Sequence, residues 1–128
     1  MARKVLHIPG KWHGGQPIPP ATKTGPLVTS GGVMGMNPDT NEVPEDNAEQ
    51  AKWAFEHVRR IMAAAGGTTD DIAHMNVFVK SRDARPIINE EWVAMFPDEE
   101  SRPTRHTIQN DNLAGNMQLQ LQFTAYVA

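Results

Sequence analysis

Cysteine is absent from the chain, which removes disulfide scaffolds, thiolate zinc sites and cysteine nucleophiles together. It also fits a reducing compartment, and a cytoplasmic location is the expectation. No stretch approaches the ~20 consecutive apolar residues of a membrane span. Arg3 and Lys4 near the start are followed by no long apolar run, so this segment is not read as a secretory signal. Basic blocks are missing too. The formal charge is −3 and Arg59-Arg60 is the one close basic pair on an expected helix, whereas nucleic-acid binders cluster Lys and Arg to displace counterions. Nucleic acid is therefore not an expected partner. The five histidines show no ligand spacing such as H-x-x-x-H, and no Gly-rich loop opens a helix, so neither a metal nor a nucleotide cofactor is expected.

What remains is the composition of one compact domain spanning residues 1–128. Pro and Gly concentrate in the first third (Pro9-Gly10, Gly14-Gly15, Pro17, Pro19-Pro20, Gly25-Pro26) and mark loops between short strands. Lys4 to Ile8 reads as a strand, and Ala21–Thr24 with Leu27–Gly31 as a hairpin about Gly25-Pro26. From about Asn47 to Ala65, Ala51, Phe55, Val58, Met62 and Ala65 recur at helical spacing. Asp46 and Glu49 are placed for a capping box, and Gly66-Gly67 for a stop. Ala73, Met75, Val77 and Val79 alternate with His74, Asn76 and Phe78 as in a strand. A second helix is expected over about Ala84 to Phe96, with Asp83 as cap, Pro86 in the first turn and Ile88, Trp92 and Met95 on one face. Thr104 to Gln109 is another strand.

The last strand alternates most regularly. Met117, Leu119, Leu121, Phe123, Ala125 and Val127 face one way, and Gln118, Gln120, Gln122, Thr124 and Tyr126 the other. An apolar face of this kind needs helices on it, so the expected architecture is α+β, a sheet with both helices packed on one face. Three neutral amides on the opposite face are compatible with a solvated surface. They fit better a partly buried interface between subunits, because an amide donates and accepts without carrying charge.

Several segments taken in order resemble the Rid (reactive intermediate deaminase, YjgF) family. They are Thr29-Ser30-Gly31, Asn37-Pro38-Asp39-Thr40-Asn41-Glu42-Val43-Pro44, Gly66 followed by Asp71-Ile72, Val77-Phe78-Val79-Lys80, Asn89, and Pro103-Thr104-Arg105-His106-Thr107. The resemblance covers nearly the whole chain. It implies a chorismate-mutase-like α+β fold with a mixed sheet, assembled as a homotrimer around a barrel with sites between neighbouring subunits. It also implies hydrolysis of small carboxylate-bearing enamines or imines to 2-keto acids and ammonia, without a metal or organic cofactor.

Carried over residue by residue, the resemblance makes Arg105 the anchor for the substrate carboxylate. A guanidinium suits that role, offering parallel donors to two oxygens and staying charged. Ser30 and Gly31 match a segment lining the pocket, and Asn89 a helix residue near it. Three positions depart from the family pattern. Ile18 stands where an aromatic is usual, Thr107 where a cysteine is frequent, and Gln120 where a strand acid positions or activates water. An amide orients water but takes no proton, and loss of general acid–base help typically costs about 10²–10⁴-fold. Two readings follow: a Rid-type enzyme with altered proton-transfer apparatus, and a carboxylate-binding module without turnover.

Remaining candidates are weaker. His13, in Trp12-His13-Gly14-Gly15, and His106 are the side chains able to supply acid–base chemistry near neutral pH. His13 reads first as a solvated loop residue, with a place in the pocket as its alternative, and His106 points away from Arg105 by strand alternation. Trp53 lies off the apolar stripe of the first helix beside Glu49 and His57, either as a contact surface or as a ring lying flat over its neighbours. Asp70-Asp71 and Asp98-Glu99-Glu100 read as solvated turns.

Overall fold

A computed structural model describes residues 2–128. Among them the chain forms strands β1 (Lys4–Leu6), β2 (Ala21–Thr24), β3 (Leu27–Ser30) and β4 (Val33–Met34), then helix α1 (Asn47–Ala64). β5 (Ile72–Val79), helix α2 (Arg85–Met95), β6 (Thr104–Gln109) and β7 (Leu119–Tyr126) follow. One sheet orders its strands β1-β2-β3-β7-β5-β6, with β4 joining the same edge of β7 beyond β3. Every pairing is antiparallel except β5 with β6. A parallel pair needs a crossover, and α2 supplies it. The sheet is mixed, as expected, and both helices cover one face.

The periodicities account for the core. Val28, Met75, Val77, Leu119, Leu121 and Phe123 are buried on the helix-facing side, and Phe55, Val58, Ile61 and Met62 of α1 meet them. Against the expected stripe of the first helix, Gln50 and His57 are also fully buried. Gln50 donates to the carbonyls of Pro44 and Asn116 and accepts from the Gln118 amide. Its whole amide is thereby satisfied, and the start of α1 is tied to the approach to β7.

Local details depart from the sequence reading for identifiable reasons. Asp46 does cap α1, accepting from the Ala48 amide, but among the described residues no return bond comes from Glu49. The reciprocal capping box instead closes between Thr68 and Asp71. Helix α1 stops at Ala64, where Gly66, at φ +79°, turns the chain so that the Gly66 and Gly67 amides reach the Ala63 and Met62 carbonyls. Asp83 is not the cap of α2. Ser81 takes the turn first by accepting from the Asp83 amide, and a 3₁₀ turn over Arg82–Ala84 leads into the helix. Ala73 is exposed rather than inward, because the β5–β7 register slips between Ile72 and His74 and puts Ile72 in the core. The first strand ends at Leu6. Strand β4 has no signal of its own, being two residues long, and follows the hairpin through Gly31-Gly32. Gly35, after it, passes so close to Gln50 of α1 that a Cβ there would overlap helix backbone.

Candidate functional site

Strand β6 lies at the edge of the sheet, and its residues alternate between the helix face and the opposite face. Arg105 pairs with Met75, which pairs with Phe123, both core residues; Arg105 therefore points toward the helices. There its Nε donates to Thr107 Oγ1 at 2.9 Å and its Nη1 to Asn89 Oδ1 at 2.8 Å. The guanidinium carbon lies 5.1 Å from the centre of the Trp92 ring, a cation–π platform. Two of five N–H bonds are thus used, which leaves three, both on Nη2 among them. The ion pairs among the described residues belong to Glu56, so no carboxylate neutralises Arg105. Burial lowers its pKa, and the neighbouring Arg85 charge lowers it further. A half-buried guanidinium, fixed by two neutral oxygens and an aromatic face, is ready-made for an anion.

Asn89 and Thr107 are therefore brought to Arg105. Trp92 is a further member of the cluster, read from sequence only as a core residue of α2. The signal was present: Asn89 and Trp92 are three apart on one helix and share a face. His106 is exposed on the other face of β6, as alternation requires.

Ser30 and Gly31 lie where β3 passes into β4, and Gln120 packs on the next residue, Gly32. Between β3 and β4 the register against β7 passes from Thr29–Thr124 to Val33–Leu121, four residues against three. The extra residue breaks the ladder, and the freed Phe123 amide donates to Ser30 Oγ at 2.8 Å. Ser30 is therefore buried for a structural reason, with its hydroxyl proton left to give. Gln120 pairs with Met34 and Phe78, and its amide packs directly against Gly32, where a Cβ would overlap it. Its Nε2 lies 3.7 Å from Met117 Sδ. His13 belongs to this group as well. Its Nε2 and Cε1 would lie 3.5 and 3.7 Å from a Cβ at Gly31, so the ring rests beside that glycine. Ile18 is exposed on the loop leading to β2.

The two groups do not meet within one chain. Gln120 points away from the helices, since Leu119 and Leu121 beside it are core residues, while Arg105 points toward them. Gln120 lies level with Ile108 through Phe78, two strands across and three residues along from Arg105. At ~4.8 Å per strand and ~3.3 Å per residue the separation is roughly 14 Å, through the sheet.

The face carrying Gln120 holds a row of hydrogen-bonded polar groups. Thr104 Oγ1 meets His74 Nδ1 at 2.7 Å, His74 Nε2 meets Asn76 Oδ1 at 2.9 Å, and Asn76 donates to Gln122 Oε1 at 3.3 Å. Exposed Leu27 and Tyr126, paired across β3 and β7, lie on the same face. Trp53, by contrast, stacks on His57 with centroids 5.7 Å apart, and the Arg60 guanidinium lies 5.7 Å from its ring centre; it lies flat over its neighbours. Two open clefts, one of about 700 Å³ beside Glu42 and Asn116 and one of about 440 Å³ beside Trp53, include neither Arg105 nor Gln120. Among the described residues no helix is long and apolar enough to cross a membrane.

Comparison with known proteins identifies the family. The family model described as Endoribonuclease L-PSP matches residues 16–127. TdcF of Escherichia coli is 31% identical over 102 residues, 79% of each chain. Its crystal structure with bound serine superposes with a TM-score of 0.86 over 98% of this chain and 99% of that one, at 28% identity. A 2-iminobutanoate/2-iminopropanoate deaminase of the same organism is 29% identical over 102 residues, 79% of this chain and 80% of its own. With the family model spanning nearly the whole chain and the same fold in its relatives, this protein belongs to the Rid/YjgF family.

Proposed function

We propose that this protein is a Rid-type deaminase that hydrolyses a small carboxylate-bearing enamine or imine to a 2-keto acid and ammonia, at a site shared between the subunits of a homotrimer. The carrying observation is Arg105, half-buried, braced on three sides and without a carboxylate partner. The placement of Arg105 and Gln120 on opposite faces supports the shared site. A substrate of three or four carbons cannot span them in one chain, but the β6 edge of one copy facing the Ser30–Gly31–Gln120 region of the next would close a pocket. The row from Thr104 to Gln122, with Leu27 and Tyr126 beside it, suits burial against copies of itself. The names of the deaminases it is similar to point the same way.

In this reading Arg105 holds the carboxylate, with Asn89, Thr107 and Trp92 fixing the guanidinium. The Ser30 hydroxyl and the unhindered Gly31 backbone line the pocket, Ile18 borders it, and Gln120 orients the attacking water. Holding the reacting carbon against a placed water supplies rate by orientation alone, and no cofactor is required. RNA is disfavoured as a substrate by the net charge of −3 and the scattered basic residues. We place the protein in the cytoplasm as a single domain of residues 1–128. Freshly generated 2-enamines and 2-imines, assayed for keto acid release, test the proposal. Release no faster than the spontaneous reaction across the panel overturns it, and would favour the second reading that Gln120 supports: a carboxylate-binding module without turnover.

A further inference from the structure

Arg85 is the charged neighbour of Arg105 that the braced site leaves unused. It is the first residue of α2, and Asn89 and Trp92 follow it by four and seven residues, so the three share one face of the helix. Asn89 bonds Arg105 Nη1, and Trp92 underlies the guanidinium. Arg85 therefore stands one turn, roughly 5–6 Å, beyond the Asn89 contact. Direction agrees with spacing. Helix α2 is the crossover between parallel β5 and β6 and so runs against β6. Going from Trp92 to Arg85 is thus going from Arg105 toward Thr107, and the Arg105 bond to Thr107 leans the guanidinium that way. The Arg85 charge is close enough to lower the Arg105 pKa beyond what burial does. Nothing in the chain neutralises the two. The ion pairs among the described residues belong to Glu56. At three- and four-residue spacing from Arg85 stand Ser81, Arg82, Ile88 and Asn89, none of them acidic. A lone exposed arginine calls for no partner. Two guanidiniums held side by side do, because like charges repel until an anion lies between them.

We propose that the site takes a 2-imino dicarboxylate of four or five carbons, or its enamine form, with the first carboxylate on Arg105 and the second on Arg85. This rests on the deaminase reading above and names the substrate class of the same site. A monocarboxylate answers Arg105 alone and leaves the Arg85 charge unmet. A second carboxylate meets it, since a guanidinium offers two parallel donors to a planar anion. One helical turn between the Asn89 contact and Arg85 suits the few carbons that separate the two carboxylates. The hydrolysis itself is unaltered: one water adds at the C=N carbon, one ammonia leaves, and the product is the 2-keto dicarboxylate. The reacting carbon is bonded to the first carboxylate, so Arg85 touches only the far end of the substrate. It sets specificity and takes no part in proton transfer.

Calorimetry on the whole protein tests the assignment with two ligands. One is 2-oxoglutarate, the keto product of the five-carbon case; the other is 2-oxohexanoate, of similar length without the second charge. The wild type should bind 2-oxoglutarate at least about tenfold tighter, a difference worth ~1.4 kcal/mol. In Arg85→Gln that ratio should fall to near one. In Arg85→Lys, which keeps the charge but loses the fork, it should lie between. Turnover should follow binding. With 2-iminoglutarate and 2-iminobutanoate generated in place and keto acid release followed, the wild type should prefer the dicarboxylate in kcat/KM, and Arg85→Gln should lose that preference. Equal binding of the two ligands by the wild type, or an Arg85→Gln protein that keeps the wild-type ratio, overturns the role of Arg85 and leaves the deaminase reading standing. A wild type no faster than the spontaneous reaction on both imines overturns the deaminase reading and the substrate with it.

Discussion

At the scale of single residues, Arg105 concentrates the chemistry, and its bracing makes two substitutions informative. Arg105→Ala removes the charge and the fork. Calorimetry with pyruvate should show no binding, with the fold intact because the side chain lies at the sheet edge rather than in the core. Arg105→Lys keeps the charge as a mobile point and loses the bonds to Asn89 and Thr107, so affinity should fall at least about tenfold, the worth of ~1.4 kcal/mol. Unchanged affinity in either variant would reject the anchor. Gln120→Glu asks whether the pocket is a deaminase site short of one group. The side chains are close in size, so the packing against Gly32 should survive. The rate of pyruvate release should rise, at most into the ~10²–10⁴-fold range. Within one chain the sheet separates position 120 from Arg105; in the proposed shared site the cation that would keep the new carboxylate ionised is Arg105 of a neighbouring subunit. An equal rate in both proteins would shift the proton-transfer role away from position 120.

Between elements, the decisive contacts are polar ones that amphipathic patterns do not register. Gln50 is buried with both amide protons and its oxygen bonded to three backbone groups, the Pro44 carbonyl before α1 and the Asn116 carbonyl and Gln118 amide before β7. Gln50→Leu keeps approximate volume but strands the Pro44 carbonyl and the Gln118 amide, while the Asn116 carbonyl keeps its bond from Gln118 Nε2. At about 1–3 kcal/mol per stranded group, the loss should reach at least about 2 kcal/mol in chemical denaturation. A loss under ~0.5 kcal/mol would mean that water reaches these groups. The same junction explains the closeness of Gly35 to α1 and hence the placement of β4 against β7, which in turn fixes Gln120 beside Gly32.

For the whole molecule, assembly and acid sensitivity are the measurable properties. Sedimentation at micromolar concentration should show a trimer; a stable monomer would remove the shared site. His57 lies fully buried between Trp12 and Trp53, and the Met36 carbonyl accepts from its Nε2 at 2.6 Å, leaving Nδ1 without a partner. Burial lowers its pKa, aided by Arg60, against opposing contributions from the Met36 bond and Glu56. With the folded pKa below the unfolded value of about 6.5, the unfolded chain binds more protons between the two. Stability should therefore be full above about pH 6.5 and decline as pH falls toward the folded pKa. Denaturant midpoints at pH 7 and 5 should differ in the wild type and differ less in His57→Phe, whatever that variant loses at pH 7.

Alternating and helical periodicities by themselves determined the α+β class, both helices and the inward faces of β5 and β7, because a half-buried element imposes its own period on its residues. Motif order determined the family and offered Arg105, Asn89, Thr107, Ser30, Gly31, Ile18 and Gln120 as candidates without dividing them; the structure gathered the first three about one guanidinium. The tertiary structure decided what depends on register and on distant partners. One slip exposed Ala73, and another turned the Ser30 hydroxyl onto the Phe123 amide. Gln50 and His57 acquired partners, the Asn116 and Met36 carbonyls, that no spacing announces, because those groups arrive from segments far along the chain. Sheet geometry set Arg105 and Gln120 on opposite faces, since a residue's side follows from its strand's register against its neighbours. The same packing laid a loop histidine beside Gly31, because Trp12, buried against α1, fixed where that loop runs.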